Sequence, residues 1–168
     1  MEKNLSSYIS AYKKHLEAGD IQTAYEALVK YVMSLKAHCE KTLFNQYSFG
    51  NISPGYMDFT YFAFFDDYLR RKKLRFGIVL NHREMRFELW LMGQNAEIHK
   101  KYWELLKNSA WNKHRTTMPK YAVLEAVLVE FPDFDRLNDL TSKIEQTASS
   151  VSKEISGHIK ALDSPGFE

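Results

Sequence analysis

The feature that most constrains the fold is a pair of apolar–polar alternations near the middle of the chain. They predict strands over residues 74–82 and 85–92, joined by a tight turn at Arg83 and Glu84. This turn places apolar residues opposite one another on one face: Leu80 with Phe87, Ile78 with Leu89 and Phe76 with Leu91. A slip of one residue would move that whole set to the other side, so burial of one face selects this register.

The opposite face of the hairpin combines charged, aromatic and small residues. Its facing pairs are Asn81 with Arg86, Val79 with Glu88, Gly77 with Trp90 and Arg75 with Met92. Because glycine has no side chain, we expect the indole of Trp90 to lie over Gly77. The apolar face needs cover from other elements, which predicts helices packed against it.

Apolar residues at three- and four-residue spacing predict four helices. They are expected over residues 5–17, 20–44 and 96–110, and from 133 or 135 to about 162. Gly19 should end the first helix and so make a helical hairpin with the second. Asn95 is expected to cap the third. The polar residues 66–73 predict a single helical turn.

Two further strands are predicted, over residues 57–65 before the hairpin and 121–131 after it. Residues 46–56 are rich in Gly, Pro, Asn and Ser, which favours a loop. The aromatic residues of this loop should either gate a pocket at the end of the first strand or fill the interface between helices and sheet.

The predicted order is therefore α-α-β-β-β-α-β-α. This is an α+β fold with an N-terminal helical hairpin, a three-stranded antiparallel meander plus a fourth strand, and helices packed on the sheet.

Length and composition favour one domain over residues 1–168. A hydrophobic content of 45% excludes intrinsic disorder, and a net charge of +2 argues against a strongly basic nucleic-acid binder. No run reaches the roughly 20 apolar residues of a membrane span, and residues 1–20 lack the apolar stretch of a signal peptide. With Cys39 as the single cysteine, a disulfide within the chain is excluded. We expect a soluble cytoplasmic protein without a cofactor.

Five stretches along the chain carry a resemblance to a known family. They lie at residues 8–28, 55–62, 73–95, 100–107 and 131–145, and the third reads KLRFGIVLNHREMRFELWLMGQN. Together they are similar to an uncharacterised family of bacterial single-domain proteins, a conserved domain of unknown function. The resemblance implies one compact domain and carries over no catalytic residue.

The element order over residues 20–131 is also similar, in topology only, to the core of restriction-endonuclease-like nucleases. That similarity implies a carboxylate on the second strand and a Glu-x-Lys on the third, which hold a divalent metal. Here Glu88 takes the place of the glutamate, but Trp90 stands where the lysine should be and the second strand carries no carboxylate. These departures argue against nuclease activity, and fold analogy does not carry function.

The candidate site is the polar and aromatic face of the meander. Its residues are Asp58, Thr60, Arg75, Arg86, Glu88 and Trp90, with Phe62, Phe64 and Val79 as apolar neighbours. Charged groups among aromatic ones can line a ligand pocket. Alternatively, Arg86 and Glu88 form ion pairs on a hydrated sheet face, each worth under about 1 kcal/mol. The apolar neighbours should need cover from the last helix, another subunit or a ligand.

The leading hypothesis is a non-catalytic module that binds an unidentified small ligand or a protein partner through this face. The alternative is a divergent metal-dependent, nuclease-like phosphodiesterase with a cation at Glu88 and Asp58 close by. Basic residues 70–75 could bind phosphate, but a solvated turn is the simpler interpretation and nucleic acid is not the expected partner. The six histidines lack ligand spacing, so no metal site is predicted.

The last helix carries an apolar stripe near heptad spacing. Two uses of this stripe are open: it packs on the chain's own sheet, or it forms the seam of a homodimer.

Overall fold

The computed structural model describes residues 3–43 and 45–163. The fold is α+β, as predicted, with one strand more than expected. In chain order the elements are α1 (Leu5–Ala18), α2 (Asp20–Thr42), β1 (Ser48–Ser53), β2 (Phe59–Phe65), α3 (Asp67–Arg71), β3 (Leu74–Asn81), β4 (Arg86–Gly93), α4 (Ala96–Leu106), β5 (Leu124–Val129) and α5 (Leu137–Asp163).

The five strands form one sheet in the order β1-β2-β3-β4-β5, and every neighbouring pair is antiparallel. All seven predicted pairs of the β3–β4 hairpin are confirmed, from Arg75 opposite Met92 to Asn81 opposite Arg86. The predicted two-residue turn was too short, because residues 82–85 all lie between the strands. The side chain of Asn81 holds this longer turn by accepting a hydrogen bond of 3.1 Å from the Glu84 amide.

One face of the sheet, which we call the inner face, forms the main core with α2, α4 and α5. Its buried strand residues are Phe62, Phe64, Phe76, Ile78, Leu80, Phe87, Leu89 and Leu91. Helix α5 contributes Ile144, Ile155 and Ile159 to the same cluster. The stripe of α5 therefore packs on the chain's own sheet, and a homodimer through this helix stays a prediction.

The prediction of a loop over residues 46–56 was wrong, since β1 lies within it. Strand β1 pairs with β2, and an irregularity between Phe49 and Ile52 interrupts the ladder. Both side chains pack against the main core, as does Tyr47. The Gly-Asn pair inside that irregularity hid the strand, because these residues are typical of turns.

Most predicted elements are present with shorter bounds. Strand β2 begins only at Phe59, because Met57 adopts a left-handed φ of 61° that does not fit a strand. Strand β5 covers Leu124–Val129 of the predicted 121–131, and α4 ends at Leu106 instead of 110. Helix α2 ends at Thr42, while the predicted last residue, Phe44, lies outside the described residues.

The predicted caps and the helical turn are confirmed. Gly19 ends α1 with φ 80°, and the side chain of Asn95 accepts a hydrogen bond of 3.0 Å from the Ile98 amide at the start of α4. The helical turn predicted within residues 66–73 is α3, capped by Asp66. Among the described residues, no helix is both long and apolar enough to cross a membrane.

Helix α1 is the least integrated element of the fold. It has no buried residue, and Leu5 and Tyr12 on its apolar stripe are 73% and 65% exposed. The predicted hairpin with α2 is present, but it leaves this stripe uncovered.

Candidate functional site

The sheet face opposite the main core, which we call the outer face, carries a second and smaller hydrophobic cluster. Val79, Trp90, Met92 and Ala122 are buried there, with Phe59 and Tyr61 packed against them. The ring centroids of Phe59 and Trp90 lie 4.8 Å apart in a T-shaped arrangement, and Tyr121 packs on Phe59 from the segment before β5. The outer face is therefore not an open, hydrated surface around Trp90.

Glu88 lies inside this cover, where its carboxylate is surrounded by donors. Its Oε1 accepts hydrogen bonds of 2.8 Å from Arg86 Nε and 3.3 Å from Asn81 Nδ2. Its Oε2 accepts one of 2.9 Å from the indole of Trp90. Since the residue is only 1% exposed, the interpretation of Arg86 and Glu88 as a hydrated surface ion pair was wrong. This is a buried, fully satisfied charge of the kind that specifies packing.

Thr60 was assigned to the wrong face of the sheet. It is opposite Leu80 in the ladder and therefore shares the inner face with Phe62 and Phe64, which were misplaced with it. The Thr60 side chain is buried, and its hydroxyl contacts the Pro54 carbonyl and His82 Nε2, both at 2.7 Å. Its role in the structure is to tie the β1–β2 loop to the β3–β4 turn.

Asp58 lies at the rim of the outer face, just before β2. Its Oδ1 accepts hydrogen bonds from the amides of Tyr56, at 2.8 Å, and Phe59, at 2.7 Å. These two amides, Tyr56 first, lower the pKa of the carboxyl, so Asp58 carries a negative charge at neutral pH.

A pocket of about 380 Å³ opens on the outer face between the β1–β2 loop, the hairpin strands and α4. We call it the aromatic pocket. Its lining residues are Ser53, Gly55, Tyr56, Asp58, Phe59, Tyr61, Arg75, Trp90, Met92, Gly93, His99 and Tyr121. Three predicted site residues, Asp58, Arg75 and Trp90, meet there. Arg86 and Glu88 lie behind Trp90 as its support.

Gly77 leaves room for Met92, one of the lining residues of this pocket. A side chain on Gly77 would meet the terminal methyl of Met92 at 2.6 Å and the ring of Tyr61 at 3.7 Å. The prediction that the indole of Trp90 lies over Gly77 was therefore wrong, because the Met92 side chain occupies that space. The register is right, but Met92 fills the space because its thioether chain is flexible enough to cross to the neighbouring strand.

Gly93 brings the start of α4 close to the sheet. A Cβ at this position would lie 2.6 Å from His99 Cδ2 and 3.0 Å from its backbone nitrogen. Burial lowers the pKa of His99, and a hydrogen bond to the Gly93 backbone opposes that shift. His99 Nε2 has no hydrogen-bond partner. The pocket wall thus contains one neutral imidazole with an unsatisfied nitrogen.

Sequence reasoning missed much of the lining, including Tyr61, Met92, His99 and Tyr121. Met92 follows from the hairpin register, where it is opposite Arg75, whereas Tyr61 depends on the parity of β2, which was assigned to the wrong face. His99 and Tyr121 lie on elements whose position over the sheet has no signal in local spacing. Of the two alternatives for residues 46–56, filling of the interface between helices and sheet is confirmed for Tyr47 and Phe49, while gating by Tyr56, which lines the pocket, stays a prediction.

Other reactive groups are unavailable or dispersed. Burial raises the pKa of the Cys39 thiol to about 12, so it is protonated at physiological pH. Within residues 3–43 and 45–163, no group of three His, Cys, Asp or Glu side chains is placed to hold a metal ion.

The fold and the site define an α+β domain: a five-stranded antiparallel meander, helices on one face and an aromatic pocket on the other. The chain belongs to the family described as Domain of unknown function (DUF7000), whose model matches residues 5–159. The chain matches none of the curated proteins and none of the solved structures with which it was compared.

Proposed function

We propose that this domain is a non-catalytic binding module whose aromatic pocket holds a small, planar aromatic molecule. The observation that carries this proposal is the lining itself. The rings of Tyr56, Phe59, Tyr61, Trp90 and Tyr121 gather around one cavity on a face whose remaining area is packed. Ligand pockets have this composition, with a mainly apolar wall and a few polar groups that fix orientation.

The chemistry of the wall favours an aromatic ligand. Tyrosine and tryptophan rings bind planar partners by offset stacking and edge-to-face contact, each worth about 0.5–1.5 kcal/mol beyond the buried area. Tyr56 is 95% exposed and Tyr121 is 48% exposed, so both have ring surface to offer. Phe59 and Trp90 are already held against each other and form a rigid base.

Binding without chemistry agrees with the way the charged groups are used. Both carboxylate oxygens of Glu88 accept hydrogen bonds from neighbouring side chains, so neither is free to bind a cation. This removes the support for the alternative, a metal-dependent phosphodiesterase with its cation at Glu88. Asp58 is likewise engaged with two backbone amides.

The test is a thermal-shift and calorimetry screen with adenosine, guanosine, cytidine, uridine and their 5′-monophosphates. A ligand at a hundredfold excess over its Kd should raise the Tm by about 5–10 °C. For any compound that binds, Tyr56→Ala should weaken affinity by about threefold to tenfold. Tyr12→Ala, which removes an exposed tyrosine from α1, is the control and should leave affinity unchanged.

Either of two results would contradict the proposal. One is that none of these compounds binds at millimolar concentration. The other is that a compound binds but responds equally to Tyr56→Ala and Tyr12→Ala, which would place it elsewhere on the molecule.

A further inference from the structure

A second cavity adjoins the aromatic pocket at the end where β3 begins and β4 ends. It measures about 290 Å³ and is lined by Phe65, Arg70, Lys73, Leu74, Arg75 and Gln94. We call it the basic pocket. Arg75 lines both cavities, and it lies opposite Met92 of the aromatic pocket in the β3–β4 ladder. The two pockets therefore meet at Arg75 and can hold two parts of one molecule.

The three cations of the basic pocket are uncompensated. Arg70, Lys73 and Arg75 form no ion pair with any carboxylate of the described residues, and none of the six lining residues is acidic. A neighbouring cation behaves differently. Lys72, next to Lys73 in the chain, pairs with Asp163 at 3.0 Å. The three cations that line the cavity have no such carboxylate partner in the part of the chain that the structure describes and are available for an anion.

Two of the three cations are held in place by local structure. The guanidinium of Arg70 lies 5.3 Å from the centre of the Phe65 ring, so a cation–π contact keeps it beside the cavity. Lys73 adopts a left-handed φ of 58°, and its carbonyl accepts a hydrogen bond of 2.9 Å from the Gln94 amide. That bond closes the end of the β3–β4 ladder and fixes the point from which the lysine side chain leaves the backbone. Guanidinium and ammonium groups converging on one cavity are suited to phosphate.

The charges along the outer face also set a direction for the ligand. Asp58 marks one end of the aromatic pocket, next to Phe59, which is opposite Asn81. Arg75 lies toward the other end, six residues before Asn81 in strand β3. An anionic group is repelled by the carboxylate at the first end and attracted by the cations at the second.

We infer that the ligand of the aromatic pocket is a phosphate monoester of a planar aromatic compound, with its ring on the aromatic wall and its phosphate in the basic pocket against Arg70, Lys73 and Arg75. A nucleoside 5′-monophosphate is the simplest probe of this class. This inference rests on the proposed function and specifies its ligand. A single phosphate is favoured over a nucleic-acid strand, because the chain's net charge is only +2 and the cations are confined to one cavity.

The experiment compares, by calorimetry on the full chain, each nucleoside with its 5′-monophosphate and with inorganic phosphate alone. At least one monophosphate should bind about tenfold or more tightly than its nucleoside, because hydrogen bonds to a charged group contribute that much. Arg70→Gln and Lys73→Gln change residues that line only the basic pocket, so each should remove most of this advantage and leave the affinity for the nucleoside unchanged. Arg71→Gln removes an exposed arginine from the same basic run outside both pockets, and should preserve the advantage.

The outcomes separate the two proposals. Equal affinity for a nucleoside and its monophosphate would overturn the phosphate site, but it would not contradict binding in the aromatic pocket. A loss of the same size in Arg71→Gln and Arg70→Gln would show diffuse attraction in place of a site, and would also overturn it. A single-stranded oligonucleotide that bound far more tightly than the monophosphate, with steep salt dependence, would identify a polyanion as the ligand. Absence of binding by every nucleoside and monophosphate would overturn the proposed function itself.

Discussion

Trp90 donates a hydrogen bond of 2.9 Å from its indole nitrogen to the carboxylate of Glu88, two residues earlier in the same strand. Alternate residues of a strand share a face, so this bond runs along the outer face of the sheet. It joins the charged part of the outer face to its aromatic part. Because Arg86 neutralises the same carboxylate, a glutamate can lie behind the pocket wall and hold the indole that forms the wall.

Removal of this carboxylate should destabilise the domain. In Glu88→Ala the buried Trp90 nitrogen loses its acceptor, while Arg86 keeps Glu130 at 3.4 Å, and we expect the free energy of unfolding to fall by about 1–3 kcal/mol. Glu88→Gln keeps an oxygen acceptor for the indole and should cost less. Urea unfolding at neutral pH measures both changes. Equal losses in the two variants would show that the hydrogen bond to Trp90 contributes nothing.

Thr60→Val should be destabilising although it preserves shape. The Thr60 hydroxyl, which is buried, contacts both the Pro54 carbonyl and His82 Nε2, and valine leaves these partly buried groups without that partner. A loss of about 1–3 kcal/mol is expected in urea unfolding. Thr147→Val, whose exposed hydroxyl contacts only its own helix, is the control and should change stability by less than about 0.5 kcal/mol. A Thr60→Val loss no larger than the control's would show that Thr60 does not tie the loop to the turn.

The stability of the domain should depend on pH through His82. Burial lowers the pKa of this imidazole, and the nearby Asp58 carboxylate opposes the shift in part. Above the ordinary histidine pKa of about 6.5, the ring is neutral in both the folded and the unfolded state, so His82 does not make the free energy of unfolding depend on pH. As the pH falls below that value the unfolded state takes up a proton first, so the free energy of unfolding decreases.

The measurement compares urea unfolding of the wild type and His82→Gln at pH 5 and pH 7.5. The variant should lose less stability between the two pH values than the wild type does. The pKa of His99 is also lowered by burial, so this residue further decreases the free energy of unfolding at low pH, equally in the wild type and in the variant. A larger decrease in the variant would contradict the direction assigned to His82.

The sequence predicted the pairing of the hairpin strands, though not the length of their turn, because each strand carries one consistent alternation. The register followed from the need to bury Phe76, Ile78 and Leu89 together, and every predicted pair is present. Strand β2 has no such signal. Its run FTYFAFF is aromatic on both faces, so the parity of Thr60 could not be read from β2 alone and was assigned to the wrong side.

The pocket was less predictable than the sheet beneath it. The strand register predicts that Trp90 and Arg75 share the outer face. His99 and Tyr121 also line the pocket, but they lie on α4 and on the segment before β5. The close approach of α4 depends on Gly93, which leaves room for His99. Nothing in the spacing of either segment specifies where it lies over the sheet, because that position is decided by long-range packing.

Helix α1 should contribute little to the stability of the rest of the chain. Ile9 is 56% exposed on a helix with no buried residue, whereas Leu35 of α2 is fully buried. We expect Ile9→Ala to change the free energy of unfolding by less than about 0.5 kcal/mol and Leu35→Ala to lower it by about 2–5 kcal/mol. Hydrogen exchange should also be faster in α1 than in α2. A large loss in Ile9→Ala would show that the α1 stripe is covered in solution.

The fit between Gly77 and Met92 can be measured with a double-mutant cycle. In Gly77→Ala the added Cβ would lie 2.6 Å from the Met92 methyl, the end of a flexible side chain that has to shift, and we expect a loss of about 1 kcal/mol. Met92→Ala removes a buried side chain and should cost about 2–5 kcal/mol. In the double variant the added methyl enters space that Met92 has vacated, so the combined loss should be smaller than the sum by at least about 0.5 kcal/mol. Strictly additive losses would show that Met92 moves aside at no cost, and that Gly77 does not set the position of Met92 in the aromatic pocket.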